Sequence, residues 1–138
     1  MGQVSIPQFI IIDDDYINNI LCREYILLAF PEADVQSFTS APAGLDYIDA
    51  QDNTRDESDI MLFLDINMPV MSGWELLERL MLLPDKLKQK VVVYMLTSSV
   101  DRDDLQIAEK IPFISGLIEK PLSIPELKKI FPGMINLA

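Results

Sequence analysis

The sequence predicts a doubly wound α/β domain, a parallel sheet wrapped by helices on both faces, and three observations lead there. Short apolar runs recur at residues 9–12, 60–64 and 91–96, and they are apolar throughout, as strands covered on both faces must be. Between them, apolar residues return at the three-and-four spacing of a helix that buries one stripe. Strand-length and helix-length segments alternate five times, the order that builds parallel βαβ units.

Taken in order, residues 9–12 form the first strand, and Ile17, Ile20, Leu21, Leu27 and Leu28 then recur at the spacing of a first helix. Residues 35–38 read as a short second strand. Ala43, Leu45, Tyr47 and Ile48 mark a short helix beginning near Pro42, whose fixed φ suits a first turn. The polar stretch 51–58 reads as a loop. Residues 60–64 are the third strand, and Trp74, Leu76, Leu77, Leu80 and Met81 set a stripe on a helix that ends before Pro84. Trp74 reads as packing. After a fourth strand at 91–96, a helix over about 100–110 is expected to turn Leu105, Ala108 and Ile111 inward, and 113–118 supplies the fifth strand. Ser123 opens the last helix: it has capping-box spacing to Glu126, Pro125 fits the first turn, and Pro132-Gly133 stops the helix after Ile124, Leu127 and Ile130.

Composition narrows the function. The 138 residues suit one domain, and 49% hydrophobic residues can fill one core. Eleven basic against 22 acidic residues leave a formal charge of -11, which disfavours nucleic acid and anionic membrane surfaces and suits a cation or a basic partner. The single cysteine, Cys22, excludes an intrachain disulfide and reads as core packing. The chain contains no histidine, which removes His-based acid/base and triad chemistry, His-ligated zinc and a phosphohistidine on this chain. No phosphate-binding glycine loop of the P-loop type is present. There is no charged leader followed by a long apolar run, no stretch of the roughly 18 apolar residues that a membrane span needs, and the myristoylation pattern fails at Ile6. A cytoplasmic location is expected.

In open parallel sheets the functional site lies at the carboxyl ends of the strands, where the winding reverses. Polar residues gather at those ends: Asp13, Asp14 and Asp15 after the first strand, Asp65 after the third, Thr97, Ser98 and Ser99 after the fourth, and Glu119 and Lys120 after the fifth. Singly, each has an ordinary explanation. The acid triplet could be a solvated helix N-terminus, Asp65 a turn residue, Thr97 to Ser99 a cap, and Lys120-Pro121 an exposed loop. Together they describe a site. Asp13, Asp14 and Asp65 brought within about 4 Å would repel one another by a few kcal/mol per pair, which proteins relieve by protonation or by a cation. An all-oxygen donor set favours a hard divalent ion, Mg²⁺ above all. Three carboxylates, one Mg²⁺ and Lys120 sum near neutrality, so an incoming phosphoryl group is not repelled and Asp65 becomes a usable nucleophile.

The motifs Ile11-Ile12-Asp13-Asp14-Asp15, Phe63 through Gly73, Met95-Leu96-Thr97-Ser98-Ser99 and Ile118-Glu119-Lys120-Pro121-Leu122 resemble, in order and spacing, those of the receiver domains of two-component response regulators. The resemblance covers roughly residues 8–131. It implies a single receiver domain over 1–138 with the flavodoxin-like fold, five strands in the order 2-1-3-4-5 and five helices. It implies Asp65 as phosphoacceptor, Asp14 as a direct Mg²⁺ ligand, Asp13 as a ligand acting mainly through water, and Asn67 as donor of a backbone carbonyl to the metal. Thr97 would be the switch hydroxyl, Lys120 the partner of a phosphoryl oxygen, Asn67 and Ser99 rate-tuning positions, and Pro121 the second residue of a cis peptide bond. Met68-Pro69 and Gly73 are given backbone roles.

The implied partners are a histidine kinase or histidine phosphotransfer protein as donor and a downstream protein target, without nucleic acid or membrane. Readout, and any homodimer, would use the face of the fourth predicted helix, fifth strand and last helix. One position departs from the family: Leu117 stands three residues before the lysine, where an aromatic normally accompanies the switch hydroxyl. Ser98, commonly Ala, is a smaller departure. Two other readings remain. One is a receiver-like interaction module that is not phosphorylated, made more plausible by Leu117. The other is an Asp-nucleophile, Mg²⁺-dependent phosphatase of the haloacid dehalogenase kind, against which stand Asn67, where such enzymes carry an acid, and the lack of room for a cap segment.

Overall fold

The computed structural model describes residues 6–53 and 58–135. Five strands, β1 (Gln8–Ile12), β2 (Val35–Phe38), β3 (Ile60–Asp65), β4 (Val91–Thr97) and β5 (Ile114–Glu119), pair in parallel in the order β2-β1-β3-β4-β5. The connecting helices are α1 (Tyr16–Ala29), α2 (Ala41–Ala50), α3 (Gly73–Leu80), α4 (Asp85–Lys88), α5 (Arg102–Lys110) and α6 (Ile124–Ile130). The doubly wound architecture and the strand order expected from the resemblance are therefore observed.

Strand alternation divides the core into two layers. Ile10, Ile12, Leu62, Leu64, Val93 and Met95 pack beneath Ile48 of α2, Leu76, Leu77 and Leu80 of α3 and Ala108 of α5. On the other face Phe9, Ile11, Met61, Phe63 and Leu96 meet Cys22 and Ile26 of α1 and Leu127 of α6. There the rings of Phe9, Phe30 and Phe131 form a triangle with centroids 5.1 to 5.9 Å apart. From Phe9 through Ile12 and Ile60 through Asp65 every residue is buried, so the two central strands hold their carboxyl ends rigidly. The edge strands β2 and β5 are only partly covered, so apolarity on both faces belongs to the centre of the sheet and not to its margins.

Local chemistry explains the helix starts. Asp15, Ser40, Ser72, Asp101 and Ser123 sit in extended conformation before α1, α2, α3, α5 and α6, and each side chain accepts from a backbone N–H of the first turn. The cap of α5 is thus Asp101, not the Thr97 to Ser99 run. Proline stands in the first turn of α2 and α6, as its missing N–H allows.

Four sequence expectations need correction. Six helices form among the described residues where five were expected, because Pro84 starts a single turn, Asp85–Lys88, whose Leu87 is buried. Of the 51–58 loop, Gln51–Asn53 is a 3₁₀ turn and residues 54–57 lie outside the described residues. Helix α1 has the expected position but turns most of its stripe outward: Ile17, Ile20, Leu21 and Leu28 are exposed, Leu27 packs partly against the core, and Asn18, Asn19, Cys22 and Ile26 are buried. Leu105 of α5 also faces outward, leaving Ala108 as the buried residue of that helix. No helix among the described residues is long and apolar enough to cross a membrane.

Candidate functional site

Parallel pairing of β1 with β3 sets Ile12 beside Leu64, so the residues that follow, Asp13 and Asp65, emerge side by side. Oxygens of Asp13, Asp14 and Asp65 lie within 4.8 Å of one another. Asp13 and Asp65 are buried and Asp14 is exposed, so the cluster opens to solvent on one side. Lys120, directly after β5, bridges the buried pair: its Nζ is 2.8 Å from Asp13 Oδ2 and 3.2 Å from Asp65 Oδ1. Backbone bonding holds it there, since its N–H donates to the Thr97 carbonyl at 2.7 Å. The Lys120-Pro121 peptide bond is cis, as the resemblance implied.

Sequence reasoning missed the support beneath Asp13. Asn18 Nδ2 donates to Asp13 Oδ2 at 2.7 Å, Asn19 Nδ2 donates to the Asp13 carbonyl at 2.9 Å, and the Asp15 N–H donates to Asp13 Oδ1 at 2.8 Å. These contacts explain the reversed stripe of α1, because a buried carboxylate at the head of the helix needs buried donors on its inner face. The signal was present as an Asn-Asn doublet inside an apolar helix. Cys22 lies behind Asn18, which approaches its Sγ at 3.6 Å, and burial, the largest cause, pushes the thiol up to about 11. It is packing, as expected.

Asp65 is less completely satisfied. Its Oδ1 accepts from the Asn67 N–H at 3.3 Å and pairs with Lys120, whereas Oδ2 is buried without a hydrogen-bond partner. Burial first, and the charge of Asp13 second, raise the Asp65 pKa to about 7, with Lys120 opposing. An orphaned, hard oxygen among three acids, with no nitrogen or sulfur donor in the cluster, fits a hard divalent cation.

The remaining predicted residues surround this centre. Thr97 is buried at the end of β4, with Oγ1 donating to the Ser99 carbonyl at 2.9 Å. Asn67 and Ser99 are exposed at the rim. Gly73 lies against the turn that follows Asp65: a Cβ there would meet the Asp65 carbonyl oxygen and come within 2.8 Å of Ile66 Cα, so only glycine lets α3 start so close. Trp74 is half-buried against the core, as is Leu117, which lies on β5 opposite Met95 and away from the acids.

The sequence model of the response regulator receiver domain matches residues 9–131. No curated protein sequence matches the chain significantly. Among solved structures, the chain is similar to a response regulator receiver protein from Dyadobacter fermentans DSM 18053, with 30% identity, TM-score 0.82, and 94% of this chain and 98% of that one covered. A two component response regulator from Cytophaga hutchinsonii is similar over 95% of this chain and 98% of its own, with 28% identity and TM-score 0.84. The chemotaxis protein CheY4 of Vibrio cholerae, at 18% identity and TM-score 0.69, shares the fold over 95% of this chain and 100% of its own. With acids, hydroxyl and lysine at the strand ends where the motifs put them, and a family match spanning almost all of the described fold, the chain belongs to the response regulator receiver domain family, a signalling family of two-component systems.

Proposed function

We propose that the protein works as a receiver that accepts a phosphoryl group on Asp65 from a phosphohistidine of a histidine kinase or phosphotransfer protein, with Mg²⁺ held by Asp13, Asp14, Asp65 and the backbone carbonyl of Asn67. The observation that carries this reading is Asp65 itself: a buried carboxylate with one unpartnered oxygen, between two further acids and a lysine. A carboxylate oxygen of Asp65 attacks phosphorus, the bond from phosphorus to the donor imidazole breaks, and the imidazole nitrogen leaves to take a proton from solvent. The product is an acyl phosphate. When bound, Mg²⁺ offsets charge on the phosphoryl oxygens. Lys120 moves its charge from Asp65 Oδ1 to a phosphoryl oxygen, and Thr97 gives up the Ser99 carbonyl to donate to another. Asn67 and Ser99, exposed at the rim, bound the approach of water and so tune the lifetime of the acyl phosphate.

The outer face of α1 supports a landing surface for the donor. Tyr16 and Ile17, 66% and 63% exposed, stand one turn from Asp14, and Ile20, Leu21 and Leu28 continue the apolar face along the helix. For output, a phosphoryl group adds about -1.5 to -2 charge, enough to bias a two-state surface. The face of α5, β5 and α6, with Leu105 and Ile107 exposed, is the surface read by a downstream protein or a second copy.

The test is incubation with Mg²⁺ and acetyl phosphate, followed by intact-mass measurement. One phosphoryl mass on the wild type and none on Asp65→Asn supports the reading. An unmodified wild type under donor excess would turn the assignment toward an interaction module that is not phosphorylated.

A further inference from the structure

We infer that Asn18 is a positioning residue for phosphoryl transfer, holding the Asp13 carboxylate in place when Lys120 leaves it; the inference rests on the reading of Asp65 as phosphoacceptor. The geometry poses a specific problem. Lys120 Nζ lies nearer to Asp13 Oδ2, at 2.8 Å, than to Asp65 Oδ1, at 3.2 Å. A phosphoryl group on Asp65 draws Lys120 toward itself and away from Asp13, whose side chain is fully buried. A buried carboxylate oxygen stripped of its donor is costly, and that cost would oppose the movement.

Asn18 removes the cost. Its amide donates to the same Oδ2 at 2.7 Å, it is itself 95% buried, and it comes from α1, an element that does not carry Lys120. Asp13 therefore keeps one donor on Oδ2, from Asn18, and one on Oδ1, from the Asp15 N–H, after the lysine has gone. The orientation of the carboxylate toward Asp14 and Asp65 then depends on the helix and not on the mobile cation. Asn19 is different, since its amide grips the Asp13 and Phe38 carbonyls and so fixes backbone.

The informative substitution is Asn18→Leu, which keeps approximate volume and removes the donor, measured in two ways. Calorimetric titration with Mg²⁺ is expected to show affinity lowered roughly 10- to 100-fold, the usual cost of losing a group that orients a metal ligand. Uptake of acetyl phosphate at saturating Mg²⁺ is expected to slow by about tenfold or more, because Asp13 now retains the lysine. A purely structural role would lower the melting temperature in EDTA and leave both readouts unchanged; that outcome overturns the inference. Should Asn18→Leu not fold, Asn18→Ser gives the same reading, a smaller loss in both measurements supporting the role and no loss refuting it. Wild-type protein run alongside separates the two layers of argument. If it neither binds Mg²⁺ nor gains a phosphoryl group, the reading of Asp65 fails and takes this one with it; if it does both and Asn18→Leu matches it, only the role of Asn18 falls.

Discussion

At the carboxyl ends of β1 and β3, three of the four carboxylate oxygens of Asp13 and Asp65 have a partner within 3.3 Å, supplied by α1, by two loops and by Lys120. Between α5 and β5 the construction is the reverse. Ala108 is the buried residue of α5, Leu105 is exposed, and an open surface groove of about 220 Å³ runs past Leu105, Ala108, Ile111 and Leu117. One region is held by several polar contacts and the other is only partly covered. The difference suits the proposed function, since the geometry that phosphoryl transfer would need sits at the buried ends of β1 and β3, and the surface proposed to change sits at the partly covered edge.

The most direct way to break the ordered end is to remove its cation. Lys120→Met leaves two buried carboxylates facing one another, and denaturant titration at pH 8 without divalent ions should show a loss of about 3–5 kcal/mol. The loss should shrink at pH 5, where Asp65 takes a proton. An equal loss at both pH values would mean that Lys120 acts through packing.

Next in size is the pH response of Asp65. Its pKa lies near 7 in the folded chain against 3.8 for an ordinary aspartate, so over that interval the folded state holds a proton that the unfolded state has lost. The stability contribution is complete below about pH 4 and disappears as pH rises through 7, with a ceiling of about 4 kcal/mol. Relative to Asp65→Asn, the wild type should therefore lose stability from pH 4 to 8 in EDTA. Parallel stability profiles for the two proteins would contradict the assigned burial and repulsion.

A matched pair of substitutions compares the site with the edge strand β5. In Gly73→Ala the new methyl meets backbone, the Asp65 carbonyl and Ile66 Cα, and a cost of about 1–3 kcal/mol together with slowed phosphoryl uptake is expected. In Gly116→Ala it meets the Tyr94 ring at 2.9 Å on the face of β5 away from α5, a side chain that can turn aside, so the cost should stay below about 1 kcal/mol with uptake unchanged. Comparable costs at both sites would erase the contrast between a rigid end and a yielding one.

This contrast also marks what could be read from sequence. The central strands and their terminal acids were legible because uninterrupted burial leaves a continuous apolar run, and the carboxylate that ends it is conspicuous. The inner face of α1 was not, because Ile17, Ile20, Leu21 and Leu28 carry a genuine helical period and periodicity cannot say which side of a helix meets the core. That choice was made by Asp13, whose need for donors drew Asn18 and Asn19 inward. Leu105 was misplaced for a related reason: its spacing to Ala108 is helical, yet the sheet edge beneath α5 offers too little surface to cover both. Short α4 escaped notice because Pro84 was read as a stop, although the residue that ends one helix is equally able to begin another.

The smallest expected effect comes from covering the groove beside α5. Leu117 is half-buried in the open groove beside α5, so Leu117→Phe can extend along it instead of displacing packed atoms. Burying the added ring surface against Ala108 and Ile111 is worth about 1 kcal/mol or less, a rise of a few degrees in melting temperature. Uptake of acetyl phosphate should not change, since Leu117 faces the opposite side of β5 from the neighbouring Ile118 and touches none of the acids. What should change is the difference between the two states: an aromatic ring under α5 ties that helix to the sheet, so phosphorylation would alter hydrogen exchange of residues 102–110 less in Leu117→Phe than in the wild type. If the substitution instead destabilises the chain, the groove is not available space, and the freedom of α5 must come from its exposed face alone.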